Sequence, residues 1–439
     1  MNKLKDGLIK MALSKRQLRL KDNANNTNHE LIESRSSAYH IPERFYRFED
    51  YPNYQTIKQK QIYLRKLNIS SPFFLTHEGT ASATSVIRGT SFINFSSYNY
   101  LDLNGDARVN AAAQDAIKRY GTSASASRLV SGERPIHQQL ESALSKMYGV
   151  ESALIFVSGH ATNVTTIGYL FGPKDLIIHD ELIHDSSLQG IKLSGAFRLS
   201  FPHNNWQALE DILITRRHEF ERVLIIIEGL YSMDGDYPDL PAFIDLKKRY
   251  KTFLMIDEAH SIGVLGANGK GIHELFGIKG NEVDIWMGTL SKSLAGCGGY
   301  IAGSQALVEH LKFSAPGFLY SVGMSPPLAA ASLKALEIML EEPERVTTLK
   351  ARSTQFLEEA KALKLNTGFS AGQGIIPILC GSSKRAILLS SKLYEKNINV
   401  QPIIYPAVPD NQARLRFFIS SAHTEAQISD TVNEIAHHF

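Results

Sequence analysis

Cysteine is scarce in this chain, and long apolar runs are absent. Only two cysteines, Cys297 and Cys380, occur among 439 residues, so neither a disulfide framework nor a thiolate metal site is expected. The longest apolar runs, such as residues 223–227, are far too short to cross a bilayer. The N-terminus shows no apolar core followed by a small-residue cleavage site. We therefore expect a cytoplasmic protein that holds no metal and does not associate with membranes.

Two nucleotide-binding motifs are also missing, and the net charge is small. The sequence contains no phosphate-binding loop of the Gly-x-x-x-x-Gly-Lys-Ser/Thr type and no Gly-x-Gly-x-x-Gly after a strand. The formal net charge is +3, but residues 1–21 carry seven basic side chains and one acidic one, a net of +6, which leaves 3 − 6 = −3 for the remainder. This distribution does not indicate a nucleic-acid-binding protein.

The basic segment 1–21 has apolar residues near helical spacing, which favours a basic amphipathic helix. Such a helix would dock an acidic protein partner or touch an anionic membrane. The alternative is a loosely ordered arm or a solvated helix.

Short apolar strands alternate with helices from residue 104 onward. We predict strands at residues 153–157, 176–179, 197–201, 223–228, 253–257, 285–288 and 300–303. Apolar runs of this length, bounded by Gly and Asp, are typical of buried strands in a mostly parallel sheet covered by helices. The predicted fold is therefore α/β, with a large domain and a smaller α+β domain built from both ends of the chain. In the C-terminal part of the smaller domain we predict strands at residues 374–380, 400–404 and 415–419. The predicted boundaries are a basic arm and linker at 1–42, an N-terminal segment of the small domain at 43–103, the large domain at 104–325 and the C-terminal small domain at 326–439.

Lys292 stands among small and hydroxyl residues, between two strand-like runs. Small neighbours leave space beside its amine, and Thr289 and Ser291 supply hydroxyl donors. This is the environment of a Schiff-base lysine, whose amine is partly desolvated and has a lowered pKa. A surface lysine in a Gly/Ser loop is the alternative.

Asp257 ends an apolar strand, where open α/β sheets place ligands. A buried carboxylate there needs a partner, and a protonated pyridine nitrogen is suitable. Turn capping or Mg²⁺ binding would also explain Asp257 alone, but Lys292 favours pyridoxal phosphate. Residues 158–160 lead from a strand into a helix, so free backbone N–H groups would face an anion. His184 and Ser232 follow two further strands.

These motifs, in series, resemble those of the α-oxoamine synthases, which are fold-type I pyridoxal 5'-phosphate enzymes of the class II aminotransferase superfamily. The family includes 8-amino-7-oxononanoate synthase, 2-amino-3-ketobutyrate ligase and serine palmitoyltransferase. The resemblance covers roughly residues 70–435. It rests on residues 289–295 (TLSKSLA), 257–260 (DEAH), 228–236 (EGLYSMDGD) and 415–424 (LRFFISSAHT).

The resemblance implies specific roles around the cofactor ring. Lys292 would join the cofactor aldehyde covalently and later move the substrate α-proton. Asp257 would keep the pyridine nitrogen protonated, and His184 would stack on the ring. Ser232 and His260 would contact the phenolic oxygen.

The resemblance also implies a phosphate site and a homodimer. The phosphate would be held by Ser158, Gly159, His160 and Thr289. In the family the partner subunit reaches the phosphate through a threonine, and this chain has Val322 there. The cross-subunit contact would then fall to Ser321.

The implied substrates are a small amino acid (glycine, alanine or serine) and an acyl thioester. Arg416 would pair bidentately with the amino-acid carboxylate, and Asn99 matches a substrate-contacting asparagine. Condensation with loss of carbon dioxide would give an α-aminoketone. Two alternatives are another fold-type I enzyme, such as an aminotransferase or a lyase, and a non-catalytic partner subunit.

The donor of the acyl group is either acyl-CoA or an acyl carrier protein. Residues 74–102, notably 76–79 (THEG), resemble synthase modules of polyketide pathways. That likeness favours an acyl carrier protein, an acidic partner that residues 1–21 would suit.

Overall fold

The computed structural model describes residues 41–66 and 71–439. The chain divides by contacts into two units, residues 1–71 and 72–439. In the first unit, two single 3₁₀ turns precede a helix at Pro52–Lys66, which we call α1. The predicted basic helix at residues 1–21 lies outside the described residues. The four domain boundaries set out above remain predictions.

The second unit alternates strands and helices. Its strands are β1 (Thr84–Ile87), β2 (Thr90–Asn94), β3 (Ser152–Phe156), β4 (Leu176–Asp180), β5 (Phe197–Phe201), β6 (Val223–Glu228), β7 (Phe253–Asp257), β8 (Ile285–Thr289), β9 (Gly299–Gly303), β10 (Ile375–Leu379), β11 (Ile398–Asn399), β12 (Pro402–Ile403) and β13 (Arg414–Phe418). Its helices are α2 (Ala107–Tyr120), α3 (Pro135–Tyr148), α4 (Gly159–Leu170), α5 (Asp185–Ser194), α6 (Trp206–Arg216), α7 (Leu240–Tyr250), α8 (Ile272–Leu275), α9 (Gln305–Ser314), α10 (Pro316–Leu319), α11 (Pro326–Glu341), α12 (Glu344–Ala362), α13 (Ser383–Glu395) and α14 (Glu425–His438).

A seven-stranded sheet forms the centre of this unit, in the order β3-β9-β8-β7-β6-β4-β5. Strand β9 runs antiparallel to both of its neighbours, and the other pairs are parallel. The predicted α/β fold with a mostly parallel sheet is confirmed. All seven strands predicted in the large domain are present, within one residue of their expected ends.

Alternate residues of each central strand enter two different apolar layers. Ile225 and Ile227 of β6 pack in one buried cluster, while Leu224 and Ile226 pack in another. Side chains of a strand point to opposite faces of a sheet. The sheet is therefore covered by apolar packing on both faces, as its continuous apolar runs predicted.

Two smaller sheets accompany the central one in the described chain. The hairpin β1–β2 extends by a parallel pairing of β2 with β11, and β10, β13 and β12 form an antiparallel sheet. Residues near both ends of the second unit thus share one sheet. The strand expected at 400–404 is instead a pair of two-residue strands, β11 and β12.

The parallel strands determine where the polar motifs lie. Because β4, β6, β7 and β8 run in the same direction, the segments that follow them meet at one edge of the sheet. His184 follows β4, Ser232 follows β6, and Lys292 follows β8. No helix in the described ranges combines the length and the apolar character needed to cross a membrane.

Candidate active site

A cavity of about 290 Å³ lies at the carboxyl ends of the central strands. Most of the predicted site residues line it. Its walls are formed by Tyr98, Gly159, His160, Asn163, His184, Ser186, Glu228, Ser232, Met233, Asp257, Ala259, His260, Met287, Thr289, Lys292 and Arg416.

Lys292 lies in the tight turn after β8, with its amine 5.7 Å from the centre of the Tyr98 ring. Its burial lowers the pKa of the amine to about 8, although the negative charge of Asp257 acts in the opposite direction. At neutral pH a useful fraction of this amine is unprotonated, as a nucleophilic lysine requires.

Asp257 and Glu228 are neighbours in the register of β6 and β7, so two carboxyl groups lie side by side at the strand ends. The Asp257 carboxylate accepts hydrogen bonds from the Asn163 side-chain amide at 2.8 Å and from the backbone N–H of Ala259 at 2.9 Å. Burial raises the pKa of Glu228 well above its usual value, and the charge of Asp257 raises it further. This shift favours the neutral form of Glu228, while both carboxylate oxygens of its neighbour Asp257 accept hydrogen bonds.

A short hydrogen-bonded chain connects Asp257 to His184. The Asn163 amide, which donates to Asp257, also lies 2.9 Å from the Ser186 hydroxyl, and that hydroxyl lies 2.7 Å from Nδ1 of His184. The backbone N–H of Ser186 donates to the same Nδ1 at 3.2 Å. Nδ1 must therefore be an acceptor, which places the proton of the neutral ring on Nε2.

The N-terminus of α4 forms a cradle beside Thr289. Ser158 caps this helix, and its hydroxyl accepts a hydrogen bond from the backbone N–H of Ala161 at 3.4 Å. A Cβ added at Gly159 would lie 2.8 Å from the Thr289 hydroxyl, so only glycine permits this approach. Unpaired backbone N–H groups at a helix N-terminus, together with a hydroxyl, suit a phosphate group.

Arg416 projects from β13 into the same cavity. One guanidinium nitrogen donates to the carbonyl of Ser232 at 2.9 Å, and the group lies 4.6 Å from the centre of the Phe418 ring. Among the residues that the structure describes, no carboxylate pairs with Arg416, and its buried Nε has no hydrogen-bond partner. A partly buried cation in that condition is suited to a ligand carboxylate.

His260 also lines the cavity. Its Nδ1 lies 2.8 Å from the Tyr100 hydroxyl, and the residue is 7% exposed. Burial, together with the charges of Lys292 and Arg416, holds the pKa of His260 well below its usual value. The ring is therefore neutral and can exchange hydrogen bonds with a polar ligand atom.

Three predicted residues, Ser158, Asn99 and Ser321, are not among the lining residues of this cavity. Ser158 is the cap of α4, next to the lining residue Gly159. Asn99 lines an adjoining cavity of about 380 Å³, and its amide already donates to the Ala81 carbonyl at 2.7 Å while its oxygen accepts from the Leu103 N–H at 3.0 Å. Ser321 and the half-exposed Val322 line a small separate cavity beside Arg128. Their predicted substrate and cross-subunit contacts stay predictions.

The arrangement agrees with the chain's relatives. The family model described as aminotransferase class I and II matches residues 90–435. The 8-amino-7-oxononanoate synthase of Fervidobacterium nodosum is 37% identical over 377 residues, which are 85% of this chain and 93% of that protein. That of Symbiobacterium thermophilum is 39% identical over 352 residues, 80% of this chain and 89% of the relative.

Solved structures give the same result. A serine palmitoyltransferase of S. paucimobilis with bound pyridoxal phosphate superimposes with a TM-score of 0.84 at 26% identity, covering 88% of this chain and 97% of that one. The 8-amino-7-oxononanoate synthase of Francisella tularensis gives 0.69 at 28% identity, covering 79% and 97%. This chain belongs to the α-oxoamine synthases, within the aminotransferase class I and II family.

Like other α-oxoamine synthases, the protein is a pyridoxal phosphate-dependent acyltransferase. Its cavity fits that cofactor on three independent observations. The glycine cradle at Gly159 suits the phosphate, the buried carboxylate of Asp257 suits a protonated ring nitrogen, and Lys292 offers an amine of lowered pKa.

Several residues of this α-oxoamine synthase site were missed from the sequence. Asn163, Ser186 and Glu228 all line the cavity but carried no predicted role. The available signal was the position of Asn163, a polar residue one helical turn after Gly159 in α4. Its partner Asp257 is 94 residues away in sequence, so no local pattern reveals the contact.

Proposed function

We propose that this α-oxoamine synthase condenses a small amino acid (glycine, alanine or serine) with an acyl thioester. The α-carbon of the amino acid forms a bond to the acyl carbon, the thiol leaves, and the carboxyl group is lost as carbon dioxide. The product is an α-aminoketone. One observation supports this reading most strongly: Arg416, a cation without an acidic partner among the described residues, shares a cavity with Lys292 and Asp257.

Arg416 and Lys292 have separate roles in this reaction. Arg416 binds the amino-acid carboxylate and so fixes which bond at the α-carbon faces Lys292. Lys292, with a pKa of about 8, takes the proton from that carbon. When bound, pyridoxal phosphate supplies an electron-accepting ring that stabilises the resulting negative charge.

The surrounding residues hold the cofactor for that task. The Asp257 carboxylate would keep a proton on the ring nitrogen, because a buried negative charge favours a cation beside it. His184 would lie against the ring face, with its tautomer fixed by Ser186. Ser158, Gly159, His160 and Thr289 would hold the phosphate, while Ser232 and His260 would contact the phenolic oxygen.

The partners of the reaction belong to the proposal as well. We infer a cytoplasmic homodimer, with Ser321 contributing to the partner's phosphate site. The basic segment 1–21, with a net charge of +6, is suited to an acidic acyl carrier protein as donor.

The test is a panel of amino acids (glycine, alanine and serine) against acyl-CoA and acyl-carrier-protein donors, with products identified by mass spectrometry. We expect one pair to yield an α-aminoketone and one carbon dioxide per product. The Lys292→Ala protein is the matched control.

Other outcomes would decide for the alternatives. A keto acid formed from the amino acid without consumption of thioester would indicate an aminotransferase. If no pair gives either aminoketone or carbon dioxide, the synthase proposal is wrong.

A further inference from the structure

A second polar cluster lies beside the cavity, centred on His203, two residues after β5. Nδ1 of His203 lies 3.0 Å from a carboxylate oxygen of Asp180, and Nε2 lies 2.9 Å from a carboxylate oxygen of Asp236. Ionised carboxylates only accept hydrogen bonds, so both ring nitrogens must donate. His203 is therefore an imidazolium cation between two carboxylates.

The cluster is largely shielded from solvent. The side chain of Asp180 is 0% exposed, that of His203 12% and that of Asp236 14%. Within the part of the chain that the structure describes, His203 is the only cation within ion-pair distance of either carboxylate. Burial lowers the pKa of His203, but the hydrogen bonds to Asp180 and Asp236 outweigh it and raise that pKa to about 10.

The two carboxylates begin and end different loops of the cavity wall. Asp180 ends β4 and accepts a hydrogen bond from the backbone N–H of Leu182 at 2.8 Å, at the start of the loop that leads to His184. Asp236 ends the turn that contains Ser232, and its carbonyl accepts from the Tyr231 N–H at 2.8 Å. His184 and Ser232 both line the cavity.

We propose that His203 is a positioning residue, which ties the loop carrying His184 to the turn carrying Ser232 and so holds two walls of the cofactor cavity together. The inference rests on the proposed use of this cavity by pyridoxal phosphate. Asn204 also spans the two carboxylates: its backbone N–H donates to Asp180 at 2.7 Å and its side-chain amide donates to Asp236 at 2.8 Å, but it carries no charge. Without the imidazolium, the like charges of the two shielded carboxylates would therefore have no cation to balance them among the described residues, and the distance between the two loops would increase.

The experiment compares His203→Gln with the wild type in cofactor binding. We expect the dissociation constant for pyridoxal 5'-phosphate, from spectral titration of the apoprotein, to rise about tenfold, as for one lost charge-assisted hydrogen bond. The circular dichroism of the bound cofactor should change as well, because its ring would sit differently between the loops. His273→Gln is the control, since His273 is also buried, at 7% exposure, but lies outside the cavity.

A second variant keeps the proposal testable if His203→Gln fails to fold. Asp236→Asn removes one end of the same bridge and should also weaken cofactor binding, and the double variant should lose no more affinity than His203→Gln alone. Wild-type affinity and circular dichroism in both single variants would overturn the proposal. So would losses no larger than those of His273→Gln at equal thermal stability. The assay contains no substrate, so failure of the proposed condensation would leave its result unaffected.

Discussion

Two cavities lie at opposite ends of the central strands, and the larger one is not the site. The cavity at the amino ends measures about 600 Å³, roughly twice the 290 Å³ of the one that holds Lys292. Its charged side chains are satisfied by neighbours: Arg222 donates to both oxygens of Asp175, at 3.0 and 2.6 Å. In the described chain, none of its lining residues has a buried polar side-chain atom without a partner.

The smaller cavity differs in just this respect. The Nε of Arg416, Oε1 of Glu228 and Oδ1 of Asn163 are buried there without partners. Groups with perturbed pKa values also face one another across it. The two cavities are therefore distinguished by their buried polar atoms without hydrogen-bond partners and not by their volumes. Such atoms indicate the cavity that binds a ligand.

The largest expected effect comes from Lys292, which lines the smaller cavity. Replacing Lys292 with alanine removes the amine that binds the cofactor covalently, so product formation should fall by at least about 1,000-fold. The visible absorbance of the bound cofactor should shift or vanish. Turnover and absorbance spectra of the purified variant measure both effects.

Lys247→Ala is the matched control at the other end of the strands, where Lys247 pairs with Asp284 at 3.0 Å. It should cost some stability and leave turnover unchanged. Equal losses in the two variants would mean that the comparison between the cavities is mistaken.

The arginines provide the next largest effect. Arg416→Lys keeps the charge but loses the bidentate geometry, so the KM for the amino acid should rise about 30-fold while cofactor binding is retained. Arg222→Lys, at the larger cavity, should leave KM unchanged and lower the free energy of unfolding by about 1 kcal/mol or less. Steady-state kinetics and urea denaturation measure the two quantities. An unchanged KM in Arg416→Lys would show that Arg416 does not bind the amino-acid carboxylate.

The smallest effect concerns pH. Burial lowers the pKa of Lys292 to about 8, so its unprotonated fraction, and with it the rate of cofactor capture by the apoprotein, should rise about tenfold from pH 7 to pH 9 and then level off. Stopped-flow absorbance after addition of pyridoxal 5'-phosphate measures this rate. A rate that keeps climbing to pH 10 would show an ordinary, solvent-exposed lysine. Apoprotein with Lys292→Ala should lack this phase altogether.

The central strands were predictable because their signal is local. A run such as residues 223–227 is apolar throughout, and nothing outside the run is needed to recognise a buried strand. The shared cavity of Lys292, Asp257 and Arg416 was predictable for a similar reason, since each stands in a short motif, while their roles stay predictions. The strand expected at 400–404 failed because β11 and β12 pair with different sheets, and pairing depends on distant partners.

The interior of the site was harder to predict. The side-chain amide of Asn163 donates hydrogen bonds to Ser186 and Asp257, which belong to other elements of the fold. The ion pairs of His203 are made with Asp180 and Asp236, which lie 23 and 33 positions away in the sequence. Hydrogen-bond networks of this kind are set by tertiary packing, and residue type alone does not reveal them.

The raised pKa of Glu228 has a consequence for how ligands reach the cavity. The shift favours an uncharged carboxyl group at Glu228, while Arg416 and the protonated form of Lys292 are cations in the same lining. This lining favours anions, and both of the expected ligands, a phosphate ester and an amino-acid carboxylate, are anions. Their encounter rates would be enhanced by long-range attraction and would slow as ionic strength screens the field.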